Sequence, residues 1–213
     1  MQGIPLNERK RLGALLDDRP QTEVMAMIPQ FSQAETDNFV APPAQIPEAL
    51  GVLMFNMERG VNLPEIQEFL RDCPDIQPFD VILANELDDG CARSGNKNTA
   101  RELAQAFGLN YAWGLEFIEL VNDENAKGFH GNAVFSRWPI RRAGVIRLPE
   151  QYNWYFDRQK RIGGRLAVFA ELDVGGQPVG AVSIHLENRT ARAARPRWPP
   201  FWRPSARSCP ICP

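Results

Sequence analysis

Two short apolar runs, each ending abruptly in polar oxygen, set the hydrophobic pattern of the chain. Residues 52–55 (Val-Leu-Met-Phe) run into Asn56, with Glu58 two residues on, and residues 81–84 (Val-Ile-Leu-Ala) run into Asn85 and Glu86. Short apolar runs bounded by polar and Gly residues predict buried strands. Between them, 63–73 is amphipathic, with Ile66, Phe69 and Leu70 on one face, Pro64 in its first turn and Cys73-Pro74-Asp75 as a stop. That predicts a helix, and strand–helix–strand at this spacing predicts a right-handed parallel crossover. Residues 96–107 predict the next helix, apolar at Ala100, Leu103, Ala104 and Phe107 and closed by Gly108. Further strands are expected over 110–121 and 132–136, and a hairpin over 164–173 and 179–185 across the Gly-containing segment 174–178. Interleaved strands and helices followed by a strand hairpin predict a layered α/β sandwich.

The two ends of the chain do not share this pattern. Residues 1–47 read as an N-terminal extension with two candidate helices. One spans 6–18, with Asn7 as a possible cap. A weaker one spans 22–37 and is interrupted by Pro29, and a Pro-rich linker follows at 41–47. Residues 48–190 carry the α/β pattern. Residues 191–213 change abruptly to an Arg-, Pro- and Trp-rich tail without periodicity, which reads as an aberrant, frameshifted continuation.

Charge changes the picture once that tail is set apart. The formal net charge is −2, from 24 basic and 26 acidic residues. Five of the 24 basic residues fall in 191–213 with no acid, which leaves 19 against 26 in the rest, a formal −7. An acidic body argues against broad nonspecific affinity for nucleic acid, though not against a local basic rim. No apolar stretch approaches the roughly 20 residues of a membrane span, and residues 1–20 have no signal-type apolar core. The expected location is therefore cytoplasmic. Four cysteines do not make a disulfide scaffold, and Cys209-Pro-Ile-Cys212 has no second pair with which to hold zinc.

The candidate chemistry begins where the first two strands end. Parallel neighbours would bring Asn56 and Glu86 together at one edge of a sheet, where open α/β sheets place ligand sites. A carboxylate beside a neutral oxygen donor is the start of a magnesium site, because Mg²⁺ takes few protein ligands and keeps its waters. Glu58 lies two residues beyond Asn56 and so on the same face of an extended segment. His185 also ends a strand, and a histidine near neutral pKa can act as acid, base or phosphate donor.

FNMERG (55–60), DVILANELD (80–88), GNAVFSRWPI (131–140) and VGAVSIHLENRT (179–190), in this order, resemble the endonuclease/exonuclease/phosphatase family of metal-dependent phosphoesterases. Deoxyribonuclease I, abasic-site endonucleases, inositol polyphosphate 5-phosphatases and neutral sphingomyelinases belong to that family. The resemblance implies a deoxyribonuclease I-like sandwich of two sheets and Mg²⁺-assisted attack of water on a phosphate ester, with Mn²⁺ as a possible substitute. It implies Glu86 as principal metal ligand with Asn56 in the same site and Glu58 beside it, and His185 at the scissile phosphate. Arg165, Asn132 and Asn188 would line the substrate site, Arg165 by its fork for phosphate oxygens. His130, before the core strand, is expected to be structural.

The resemblance also implies what is missing. The family's second half supplies an Asp-x-Asn pair, a further Asp and a final Asp-His, whereas no aspartate or histidine follows His185. The expectation is thus a partial domain with only the first sheet and its helices, weak metal affinity and weak or negligible catalysis. DNA, phospholipid and inositol phosphate remain open as substrates. From another class, the chain could be a noncatalytic binding protein whose Arg- and Trp-bearing tail grips an acidic or nucleic-acid partner.

Overall fold

The computed structural model describes residues 1–150 and 152–187; Asn188 and the tail, with the readings placed on them, lie outside the described residues. In chain order the regular elements begin with α1 (Leu6–Ala14), α2 (Gln21–Ala26), β1 (Ala34–Asp37), β2 (Val52–Arg59), α3 (Leu63–Asp72), β3 (Val81–Asp89) and α4 (Thr99–Phe107). They continue with β4 (Asn110–Glu119), β5 (Phe129–Ser136), β6 (Ile140–Arg147), β7 (Arg161–Gly163), β8 (Leu166–Val174) and β9 (Gln177–Ile184). None of the described helices is long and apolar enough to cross a membrane.

The central crossover forms as its pattern predicts. β2 and β3 pair in parallel with Val52 opposite Val81, and α3 connects them. α4 starts on the Asn98 side chain, which accepts the Arg101 N–H at 2.9 Å, and stops at Gly108 in the left-handed region. The β8–β9 hairpin turns on Gly175 and Gly176, both at positive φ (59° and 88°), the backbone that a tight two-residue turn requires.

Residues 1–47 pack against the domain. Leu12, Leu16, Val24, Ile28 and Phe31 are buried in the same apolar cluster as Ile82, Leu103 and Leu115. α1 ends at Ala14 and passes into a 3₁₀ turn; Asn7 lies inside it, and Pro5 occupies the cap position without a side-chain cap. The stretch 22–37 is only partly helical. Pro29 opens a 3₁₀ turn, and Ala34–Asp37 becomes β1, antiparallel to β4. A four-residue edge strand reading Ala-Glu-Thr-Asp has no apolar signature, and its pairing with β4 defines it.

The result is a layered α/β sandwich. The larger sheet has the order β1-β4-β5-β3-β2, with β7 paired to β4, and the smaller has the order β6-β8-β9. A second sheet, of three strands among the described residues, is therefore present where a single sheet was expected. Along β3 the side chains alternate: Ile82 and Ala84 join the first cluster, while Val81 and Leu83 face Val168, Ala170 and Leu172 of the second sheet. β4 and β5, covered on both faces, are buried throughout. Val52 and Met54 of β2 share the face of Val81 and Leu83 by register but remain 58% and 74% exposed. Among the described residues β9 is the last strand of the smaller sheet.

Candidate active site

Three successive strand pairs of the larger sheet break register. β2 and β3 pair at Asn56–Asn85 and next at Arg59–Leu87. β3 and β5 pair at Ala84–Ala133 and next at Leu87–Gly131, so Asn85 and Glu86 together oppose Asn132. β4 and β5 pair at Leu115–Gly131 and next at Phe117–His130, which leaves Glu116 as an extra residue. Such bulges re-aim side chains and bend strands beside functional sites. Here each displaces a glutamate: Glu58, Glu86 and Glu116. Glu58 and Glu86 also adopt left-handed backbone, at φ 46° and 59°. For a residue with a Cβ that conformation is held against its preference by the surrounding pairing.

The Glu86 backbone is fixed by Asn132, whose Oδ1 accepts the Glu86 N–H at 3.1 Å, while Asn132 Nδ2 is buried without a hydrogen-bond partner. Glu86 Oε1 lies 3.8 Å from His185 Nε2. On its other side the His185 ring meets Arg165 and Glu116: Nδ1 is 2.9 Å from Arg165 Nη1 and 3.3 Å from Glu116 Oε2. Arg165 Nη1 also donates to Glu116 Oε1 at 3.0 Å. The ring is thus served in either tautomer. A bare Nδ1 accepts from Arg165 and leaves Nε2–H toward Glu86; an Nδ1–H donates to Glu116 and leaves Nε2 bare.

Behind this trio lies a buried ionic chain. His130 Nδ1 is 2.8 Å from Asp88 Oδ1, and its Nε2 is 3.8 Å from Glu116 Oε2. Arg93 forks onto both Asp88 oxygens at 2.6 and 2.8 Å and reaches Glu119 at 3.1 Å, where Arg161 also arrives at 3.0 Å. Arg161 and Arg165 both lie over the rings of Phe117 and Trp154, at 5.2–5.6 Å, so the two guanidiniums are held by stacking as well as by charge.

These groups border an open cleft of about 590 Å³, lined by Glu86, His130, Arg165 and Arg161 with Arg59 and Arg158. Of the residues singled out from the sequence, Glu86, Arg165 and His130 line the cleft, and His185 and Asn132 sit behind it against Glu86. Asn56 and Glu58 stay exposed on edge strand β2. The Asn56 Oδ1 accepts the Glu58 N–H at 2.9 Å, and β2 contributes Arg59 to the cleft. Glu116, Asp88, Glu119 and Arg161 escaped the sequence reading. The signal was present: Glu116 and Glu119 interrupt the otherwise apolar run 115–120, and a buried acid demands a partner.

Burial alone would raise the carboxyl groups of Asp88 and Glu116. Hydrogen bonds from Arg93 and His130 to Asp88, and from His185 to Glu116 with the charge of Arg165, outweigh it and hold both below the usual carboxylate range. Both carboxyls thus titrate lower folded than unfolded. Their stabilisation is complete above the ordinary carboxylate range and is lost as the pH falls through the depressed values. Thermal melts should show Tm dropping between about pH 5 and about pH 3; a flat Tm there would contradict the network. Burial pushes the Cys91 thiol up, so it stays protonated and inert at neutral pH.

No protein-family model matches the sequence, and no curated protein does. Solved structures are similar, and two of them serve as examples. One is an endonuclease/exonuclease/phosphatase from Beutenbergia cavernae DSM 12333, at 20% identity and a TM-score of 0.49, over 67% of this chain and 39% of that one. The other is an endonuclease/exonuclease/phosphatase family protein from Leptotrichia buccalis C-1013-b, at 17% identity and a TM-score of 0.46, over 68% of this chain and 58% of that one. The family named for both is the one the four motifs resemble. The chain spans less than two thirds of the length of either protein. Both likenesses are partial, and what the site can do follows from its own geometry.

Proposed function

We infer that the cleft binds a phosphate ester and that the chain is a slow, magnesium-assisted phosphoester hydrolase. The observation that carries this reading is the meeting of a bulge-displaced Glu86 and Arg165 on one arginine-lined cleft, with a His185 ring held by Glu116 set between them. Arginine forks match phosphoryl oxygens. Arg165 is preorganised by Glu116 and two aromatic rings, so binding orders little that is not already ordered. His185 Nε2, facing the cleft carboxylate, is the atom that takes a proton from water or gives one to the leaving oxygen. The opposite nitrogen follows by exchanging its partner between Arg165 and Glu116.

Among the described residues no group of three or more His, Cys, Asp or Glu could hold a metal ion, so no closed cage exists. Of the three residues that the resemblance names for Mg²⁺, Glu86 lines the cleft, while Asn56 and Glu58 lie exposed on the paired strand with the Asn56 Oδ1 accepting the Glu58 N–H; a Mg²⁺ on Glu86 would keep most of its waters. When bound, the ion would supply charge stabilisation to phosphoryl oxygens and lower the pKa of a water. Such a site is weak and its loading incomplete at low metal. Calorimetry should show weak Mg²⁺ binding that disappears in Glu86→Ala. Turnover of bis(p-nitrophenyl) phosphate should rise with Mg²⁺ and vanish with EDTA. Turnover indifferent to both EDTA and Glu86→Ala would sink the reading.

A further inference from the structure

A second cavity adjoins the cleft and shares two of its walls. It has a volume of about 300 Å³ and is formed where α2 and the 3₁₀ turn at Pro29–Ser32 face the segment after β6. Met25, Ile28, Phe31, Leu148 and Pro149 give it an apolar lining, and Trp154 and Arg165 border both this pocket and the cleft. We propose that this pocket receives the alcohol part of the ester bound in the cleft, which makes the substrate a phosphate ester of an apolar alcohol. The proposal rests on the phosphoester reading of the cleft.

Three observations fix that chemistry. The volume is at the lower end of small-ligand sites, enough for an aryl or short alkyl group. Arg147 lines the pocket but does not make it an anion site. Its guanidinium is already committed to the carbonyls of Phe31 (2.8 and 2.9 Å), Gly164 (3.1 Å) and Leu115, and burial lowers its pKa to about 10. Gln21, 2% exposed, points its Nε2 to Glu150 at 3.4 Å and leaves Oε1 buried without a hydrogen-bond partner. That oxygen has no surface open to the pocket, so Gln21 adds no polar demand on what binds there. The pocket therefore offers mostly apolar walls, with the Glu150 and Glu187 carboxylates at its polar end, and the shared Arg165 marks the boundary at which phosphate chemistry begins.

Calorimetry with methyl phosphate, 1-naphthyl phosphate and 1-naphthol on the full chain tests this. Wild type should bind 1-naphthyl phosphate at least about tenfold tighter than methyl phosphate, because the ring leaves water for the pocket. Ala26→Trp and Ser32→Trp, each replacing an exposed lining residue, should bring that ratio close to one. Two variants guard against one that merely misfolds, and a cooperative melt confirms each. A wild-type ratio near one, or a ratio that both folded variants preserve, overturns the pocket and leaves the cleft reading intact. Failure of both phosphates to bind, whether or not 1-naphthol does, overturns the cleft reading and the proposed class with it.

Discussion

Arg93→Ala is expected to lower stability by about 3–5 kcal/mol, the cost of leaving a buried charge without its partner. Arg93 is the counter-ion of two carboxylates at once. It meets Asp88, which is fully buried, through two bonds, and Glu119, 6% exposed, through a third. Without it, Asp88 keeps only His130 and the Ser94 hydroxyl at 3.3 Å, and Glu119 keeps Arg161. For a domain of this size that cost is a fall in Tm of roughly 6–20 °C. Arg93→Lys should fall between, since a point charge cannot fork onto both Asp88 oxygens. The double variant Arg93→Met/Asp88→Asn should recover part of the loss, because it removes the stranded charge as well as its partner. Thermal melts of the four proteins decide the matter. A shift of under about 2 °C for Arg93→Ala would mean that water already screens the network.

The same residues show how far the sequence reaches. The crossover of β2, α3 and β3 was legible because each apolar run is long enough to declare its period and each end carries its own stop. β1 was not, because Ala-Glu-Thr-Asp has no apolar face and exists as a strand only through β4. The three bulges were invisible for a related reason. Register is a relation between strands, and a one-residue slip leaves no mark on either strand alone. Yet the slips decide the site. Without the bulge in β3, strict alternation would not place Glu86 as it stands, in left-handed backbone with its N–H on Asn132. Glu86, His185 and Arg165 could be named from the motifs they sit in. Glu116, which holds two of them, could be named only by asking what an acid inside an apolar strand must be paired with.

His185→Ala is expected to lower turnover of bis(p-nitrophenyl) phosphate by about 10²–10⁴-fold, the usual loss when a positioned acid–base group is removed. The ring lies between Glu86 on one side and the Arg165–Glu116 pair on the other. Its removal deletes the proton carrier and leaves the arginines on their aromatic rings, so kcat should fall far more than KM rises. Glu116→Gln separates transfer from positioning. It keeps the ring but exchanges the carboxylate for an amide that no longer favours an Nδ1–H. The expected result is a smaller loss of kcat than in His185→Ala. If His185→Ala instead changes KM alone, the histidine only helps to hold the phosphate. The proton then moves through water at Glu86, and the two nitrogens of the ring matter for packing and not for transfer.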